Sequence, residues 1–119
     1  MYRIVTLTVI IFLAIAGLSY AQVTPTDTIT TVELINSGVK KYSEKDFNGA
    51  IAEFTKAIEL DAKNLEAYYN RGICYNSLQD FTNALTDFDK VVEIDPKFND
   101  VYNFRVNIYL KSKDYEKAI

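Results

Sequence analysis

The chain has 119 residues, of which 49% are hydrophobic and 24% are charged, and its formal net charge is −3. This composition is typical of a folded globular protein and does not fit intrinsic disorder. The acidic balance argues against a nucleic-acid partner, because such proteins neutralise phosphates with a surplus of Lys and Arg.

The N-terminal segment, residues 1–21, has the pattern of a secretory signal peptide. Arg3 supplies a positive charge, residues 4–18 are almost wholly apolar, and Ser19 and Ala21 are small residues placed for cleavage before Gln22. The alternative is a retained anchor, but this apolar run is shorter than the roughly 20 residues that a spanning helix needs. We therefore predict cleavage, membrane contact only during export, and a flexible polar leader over residues 22–30.

A sequence repeat governs the rest of the chain. Asp46-Phe47-x-x-Ala50-Ile51-x-x-Phe54 returns as Asp80-Phe81-x-x-Ala84-Leu85-x-x-Phe88 and begins again as Asp114-Tyr115-x-x-Ala118-Ile119. Apolar residues within each unit recur at steps of three and four, which predicts two helices separated by a short polar break. A fixed period of this kind, about 34 residues, is typical of stacked helical units.

Three aspartates precede the second helix of their units: Asp46, Asp80 and Asp114. An aspartate at this position caps a helix, because its carboxylate accepts hydrogen bonds from free backbone N–H groups. The alternative is a row of metal-binding carboxylates. These residues stand in separate turns without neighbouring ligands, so we predict caps and no metal site.

Glycines in the first helices and phenylalanines in the second helices of the units indicate close helix packing. Gly38 and Gly72 leave room where the second helix of each unit crosses the first. Phe54 and Phe88 are expected to fill the volume between successive helix pairs, and we predict that both are buried.

The second unit resembles a tetratricopeptide repeat. The residues that carry the resemblance are Ala67-Tyr68-Tyr69-Asn70-Arg71-Gly72-Ile73-Cys74-Tyr75, then Asp80-Phe81-x-x-Ala84-x-x-x-Phe88 and Ile94-Asp95-Pro96. They follow the family's order of large aromatic, small residue, Tyr, Ala, aromatic and Pro. The resemblance implies an all-α solenoid of antiparallel helix hairpins with about two and a half repeats, over residues 31–64, 65–98 and 99–119. We expect the chain to continue beyond Ile119; the alternative is a short chain that self-associates through its incomplete third repeat.

No catalytic site is predicted. The chain has no histidine, which removes Ser-His-Asp and Cys-His nucleophilic sites and most zinc sites. Its single cysteine, Cys74, lies inside a predicted helix and is interpreted as a small core residue. Asp87 and Asp89 point in different directions on a helix, and Asp87 is expected to pair with Arg71 or Arg105. We therefore expect no enzyme activity and no cofactor.

In the tetratricopeptide repeat family, the first helices of the repeats line a concave groove that binds protein or peptide ligands. The resemblance places the following residues at this groove: Ile35, Val39, Tyr42, Tyr69, Asn70, Ile73, Asn76, Asn103 and Asn107, with Val32, Glu66, Asp100 and Lys111 on the same face. Asn can pair with a peptide backbone, and Tyr offers a rigid contact. The alternative is that Tyr42, Tyr69 and Ile73 are partly buried between helices. In that case Asn70, Asn103 and Asn107 are only solvated.

Some members of the family bind chaperone peptides with a clamp of Lys, Asn, Asn, Lys and Arg. The matching positions here hold Ile35, Val39, Asn70, Asp100 and Phe104, so only Asn70 agrees. We therefore predict an exported interaction scaffold rather than a co-chaperone. The leader resembles those of Gram-negative bacteria, which implies a periplasmic, outer-membrane-associated or secreted protein. The alternative is an accessory domain of a larger cell-envelope enzyme or secretion machine encoded beyond residue 119.

Overall fold

The computed structural model describes residues 29–112, which form five α-helices and no strand. The helices are α1 (Thr31–Ser43), α2 (Phe47–Leu60), α3 (Leu65–Ser77), α4 (Phe81–Ile94) and α5 (Asp100–Lys111). The helices α1 and α2 pack as one hairpin, α3 and α4 as the next, and α5 follows on α4. This arrangement confirms the predicted all-α hairpin fold. The predicted signal peptide, most of the leader and Asp114 lie outside the described residues.

Among these five helices, none combines the length and the apolar character needed to cross a membrane.

Polar side chains fix where the helices begin. Glu33 N–H donates to Thr30 Oγ1 at 3.2 Å while Thr30 N–H donates to Glu33 Oε2 at 2.8 Å, which is a capping box at the start of α1. Asp46 accepts from Gly49 N–H at 2.9 Å, and Asp80 accepts from Asn83 N–H at 3.3 Å. Both predicted aspartate caps within the described residues are therefore confirmed.

The turn inside each hairpin has the same geometry in both units. Lys45 and Gln79 adopt left-handed backbone conformations, with φ of 63° and 61°. The N–H of Asp46 donates to Lys41 O at 2.9 Å, and at the equivalent place in the next unit Asp80 N–H donates to Tyr75 O at 2.9 Å. These bonds close Schellman motifs without the glycine that usually occupies the left-handed position.

The turns between units are held by tyrosine hydroxyls. Tyr68 Oη–H donates to Ala62 O at 3.0 Å, and Tyr102 Oη–H donates to Pro96 O at 2.8 Å. Each acceptor precedes its tyrosine by the same short stretch of chain, so both hydroxyls fasten the start of a first helix to the turn before it.

The hairpins close because a glycine faces a phenylalanine across them. A Cβ on Gly38 would lie 2.6 Å from Phe54 Cε1, and one on Gly72 would lie 2.7 Å from Phe88 Cε1. Phe54 is 1% exposed and Phe88 is fully buried. The predicted burial of both rings and the predicted role of both glycines are therefore confirmed.

A partly buried ion pair joins three helices. Arg71 Nε and Nη2 donate to the two carboxylate oxygens of Asp87 at 2.8 and 2.7 Å, and Arg71 Nη1 donates to Thr55 Oγ1 at 3.1 Å. Asp87 is only 2% exposed. The structure therefore selects Arg71 from the two predicted partners of Asp87, while Arg105 pairs with Asp89 at 3.1 Å.

Cys74 lies in the core, as predicted. Burial raises the pKa of its thiol from an ordinary value of 9.0 to about 11. The thiol is therefore neutral at physiological pH and a poor nucleophile.

Candidate binding cleft

An apolar cleft opens between α1 and α3. It has a volume of about 70 Å³ and is lined by Val39, Tyr42, Phe54, Asn70 and Ile73. Four of these residues, Val39, Tyr42, Asn70 and Ile73, are among the predicted groove residues. The structure thus brings together residues of the predicted groove from two successive repeats.

Helical spacing places these side chains around one opening. Val39 and Tyr42 are three residues apart on α1, and Asn70 and Ile73 are three apart on α3, so each pair shares one face of its helix. The nearly buried ring of Phe54, from α2, completes the lining. Tyr42 packs against Phe47 with ring centroids 5.4 Å apart, which orients its ring at the rim.

The chemistry of the cleft is apolar with a single amide. Val39 is 46% exposed and Tyr42 is 38% exposed, so their apolar surface is open to a ligand. The Asn70 amide can both donate and accept hydrogen bonds. A volume of about 70 Å³ lies between the 10–15 Å³ that holds one water and the roughly 150 Å³ of a cavity that binds benzene. The cleft therefore suits part of one apolar side chain.

The remaining predicted groove residues lie elsewhere. Ile35 is 5% exposed and belongs to the core, so it offers no contact surface. The reason is that the core face and the groove face are adjacent on α1. Asn76 is half-buried on α3, whereas Asn103 and Asn107 are exposed on α5. Four outer positions are also exposed: Val32, Glu66, Asp100 and Lys111.

Tyr69 takes part in an aromatic cluster instead of standing free. Its ring meets Phe98 at 4.9 Å and Phe104 at 6.0 Å, in both cases edge to face. Burial raises the pKa of the Tyr69 hydroxyl, and the negative charge of Asp100 raises it further. The alternative of partial burial thus describes Tyr69 and Ile73, whereas Tyr42 is exposed.

Sequence reasoning missed two contributors to this face. Phe54 was predicted to fill the core, but it also lines the cleft. Phe104 was considered only as a clamp position, yet it stacks on Phe88 with centroids 5.2 Å apart and an interplanar angle of 24°. A comparison of equivalent repeat positions could have found it, because Phe104 occupies in the third repeat the position that Asn70 occupies in the second.

Within residues 29–112, no group of three or more His, Cys, Asp or Glu side chains is arranged to hold a metal ion.

Two family models match the chain. The one described as "Tetratricopeptide repeat" matches residues 65–98, and the one described as "TPR repeat" matches residues 38–78. Together they span residues 38–98, about half of the chain, which include all the residues that line the cleft. The chain belongs to the tetratricopeptide repeat (TPR) family. This membership, which the sequence resemblance predicted, implies a scaffold for protein–protein interactions.

The fold is also found in a solved structure. The crystal structure of MamA is similar with a TM-score of 0.75 and 24% sequence identity. The match covers 77% of this chain and 54% of the MamA chain, so this protein spans about half the length of that one. At this identity the likeness shows the shared fold alone. A search of curated proteins found no match.

Proposed function

We propose that this TPR protein binds a protein or peptide ligand on the groove formed by α1, α3 and α5, with the cleft as its anchoring point. The observation that supports the proposal is the exposed apolar rim of Val39 and Tyr42 above a recess of about 70 Å³. The ligand is expected to insert a side chain there and to run along the groove.

The physical basis is the free energy gained when this rim loses contact with water. Burial of apolar surface contributes about 25 cal/mol per Å². Tyr42 has few rotatable bonds and loses little conformational entropy on binding. Asn70 can pair with the backbone of a ligand, which would fix its register without a charge. The family is generally non-catalytic, and we propose that this protein also acts by binding alone.

The proposal is tested by site-specific photo-crosslinking. A benzoylphenylalanine at Tyr42 in the full chain should form adducts with a ligand in the producing cells. The matched control is the same group at Thr86, which is exposed on α4. A Val39→Asp substitution should abolish the Tyr42 adducts, because it places a carboxylate at the rim. The proposal is wrong if crosslinks from position 42 persist in the Val39→Asp variant, or if crosslinks form only from position 86. Either result would show that the ligand binds outside the cleft.

A second candidate function is self-association through α5. Tyr102, Val106 and Leu110 are exposed at steps of four residues and form an apolar stripe along this helix. Val106 occupies in the third repeat the position that Gly72 occupies in the second. In the second repeat, Phe88 of the following helix packs against this position. Sedimentation of the full chain should then show a dimer that Val106→Glu converts to a monomer. A monomer at all concentrations would remove this candidate.

We also propose that the protein is exported. The support is the charged, apolar and small-residue pattern of residues 1–21. Mass spectrometry of the protein from cells should find an N-terminus at Gln22. An intact Met1 in the mature protein would contradict cleavage.

A further inference from the structure

The cleft has an internal counterpart one repeat later. Its lining residues Val39, Tyr42, Phe54, Asn70 and Ile73 correspond, in the next repeat, to Ile73, Asn76, Phe88, Phe104 and Asn107. Ile73 belongs to both sets, so the two sites are continuous along α3. The two sites differ at three of these positions: Asn70 of the earlier site corresponds to the ring of Phe104, whereas Tyr42 and Ile73 correspond to the amides of Asn76 and Asn107. At the position that faces the core phenylalanine, the earlier site thus has an amide and the later site has a ring.

In the later site, Phe104 covers the ring of the core phenylalanine. Phe104 stacks on Phe88 with centroids 5.2 Å apart, and Tyr69 meets it edge to face at 6.0 Å. Phe88 is fully buried beneath it. In the earlier site, Phe54 occupies the place of Phe88, but the shorter Asn70 replaces the covering ring and the cleft stays open.

We infer that the cleft binds a phenylalanine side chain of a peptide segment in the partner protein. This ring would lie against Phe54 and Tyr42 in the way that Phe104 lies against Phe88. The inference rests on the proposed function and names the ligand residue that anchors it.

The chemistry of the lining favours a phenylalanine ring over a charged or an aliphatic side chain. No charged side chain lines the cleft, so a Lys or Glu would lose hydration there without gaining a partner. Aromatic pairs in stacked or edge-to-face geometry gain more than burial alone provides, which favours Phe over Leu. The cleft is open at the exposed rim of Val39 and Tyr42, so a ring can enter with one edge buried.

The experiment measures binding of capped peptides of the form Gly-Gly-Xaa-Gly-Gly to the isotope-labelled full chain by NMR. The central residue Xaa is Phe, Leu, Lys or Gly. We expect the Phe peptide to shift the methyl signals of Val39 and Ile73 and the side-chain amide of Asn70. It should bind about tenfold more tightly than the Gly peptide, and also more tightly than the Leu peptide.

Two Asn→Phe variants give matched controls. Asn70→Phe should supply the missing ring from within the chain, so the Phe peptide should no longer bind while the melting temperature is kept or raised. Asn48→Phe, at an exposed position of α2 and outside the groove helices, should leave binding unchanged. If Asn70→Phe does not fold, Val39→Asp at the exposed rim serves instead and should likewise abolish binding.

The inference is overturned if Leu and Phe peptides bind equally, if the Phe peptide shifts only signals outside the cleft, or if Asn70→Phe binds like the wild type. These results leave the proposed function standing as long as a benzoylphenylalanine at Tyr42 captures a ligand. Loss of that capture would remove the proposed function whatever the peptides do.

Discussion

Phe54 and Phe88 make the central contact inside each hairpin, and each meets a glycine on the opposite helix. Because the space at Gly38 and Gly72 is already filled by a ring edge, neither partner can change size freely. Protein interiors are close-packed, so a lost ring leaves a cavity that the helices cannot fully close.

Phe88→Ala should lower the free energy of unfolding by about 3–5 kcal/mol, because it removes buried ring surface and leaves a cavity. It also removes the ring on which Phe104 stacks. Urea denaturation of the full chain measures the loss. Thr86→Ala on the exposed side of the same helix is the control and should change stability little. Equal midpoints for the two variants would contradict the packing described for α4.

Cys74 should resist thiol reagents in the folded protein. Its pKa of about 11 leaves almost no thiolate at pH 8, and its side chain is fully buried. Labelling should therefore be slow in buffer and rapid in concentrated urea. It reports one site, because the chain has a single cysteine. Rapid labelling of folded protein would show that α3 opens readily.

The same thiol makes stability depend on alkaline pH. The unfolded thiol loses its proton near 9.0, whereas the folded thiol keeps it up to about 11. The protonated thiol therefore contributes its full share to the free energy of unfolding below pH 9.0. This share is lost as the pH rises through the folded pKa of about 11. The decline between these values should be shallower in Cys74→Ala than in the wild type. Identical slopes would show that the thiol does not contribute.

The helix α3 is the central element of the described fold. It contributes to both core clusters, and Arg71 on it binds α4 through Asp87 and α2 through Thr55. The hydrogen bonds from Arg71 to Asp87 raise the pKa of the guanidinium, which remains charged. A bidentate pair of this kind has strict geometry and fixes the relative position of the two helices.

Removing one partner of this pair should cost more than removing both. Asp87→Ala leaves the partly buried Arg71 charge without its carboxylate. It should cost about 3 kcal/mol of stability, the low end of the range for breaking a buried pair, because 18% of the Arg71 side chain is exposed. The double variant Arg71→Met with Asp87→Leu should be close to neutral, because no buried charge remains. Chemical denaturation of the three proteins measures both effects. A double variant as unstable as Asp87→Ala would contradict this account.

Much of the helix arrangement could be predicted because the decisive residues repeat. Asp46 and Asp80 mark the starts of second helices, and Gly38 and Gly72 mark helix crossings. The turns at Lys45 and Gln79 could not be predicted from the sequence. Both residues adopt a left-handed backbone conformation that glycine usually marks, and neither is a glycine. Both turns are stabilised by backbone bonds to carbonyl groups in the last turn of the preceding helix, which helix periodicity does not indicate.

The site was less predictable than the helices. A period of 3.6 residues identifies a face of α1 but cannot separate the core position of Ile35 from the rim position of Val39. The cleft depends on side-chain sizes that differ between equivalent positions, such as Asn70 where the next repeat has Phe104. That difference has no effect on helix periodicity, so only packing reveals it.

The described part of the chain is a linear stack in which each helix contacts its near neighbours. In such arrays, stability is the sum of local terms and nearest-neighbour contacts. Among the described helices, α3 packs against α1, α2 and α4, whereas the main contacts of α1 are with α2 and α3. Local stability is therefore uneven along the chain.

Hydrogen exchange should follow this order. Amides around Gly72, Cys74 and Phe88 should exchange most slowly, because these residues are buried between neighbours. Amides in the first turn of α1 and along α5 should exchange faster. Mass spectrometry of the exchanging full chain tests the order. Equal protection in α5 and α3 would show that the whole array opens as one unit.

The tyrosine bridges to Ala62 and Pro96 have a consequence for how this architecture can grow. In each bridge, the carbonyl acceptor lies in the turn between two repeats and the tyrosine donor lies at the start of the following helix. The hydrogen bond therefore involves no residue from more distant parts of the chain. A further repeat inserted between Asn64 and Leu65 would contain both the tyrosine and the carbonyl group needed for one such bridge at each of its ends. The stack would then lengthen by one hairpin with the same turn geometry, and gene duplication could extend it without redesign of the existing hairpins.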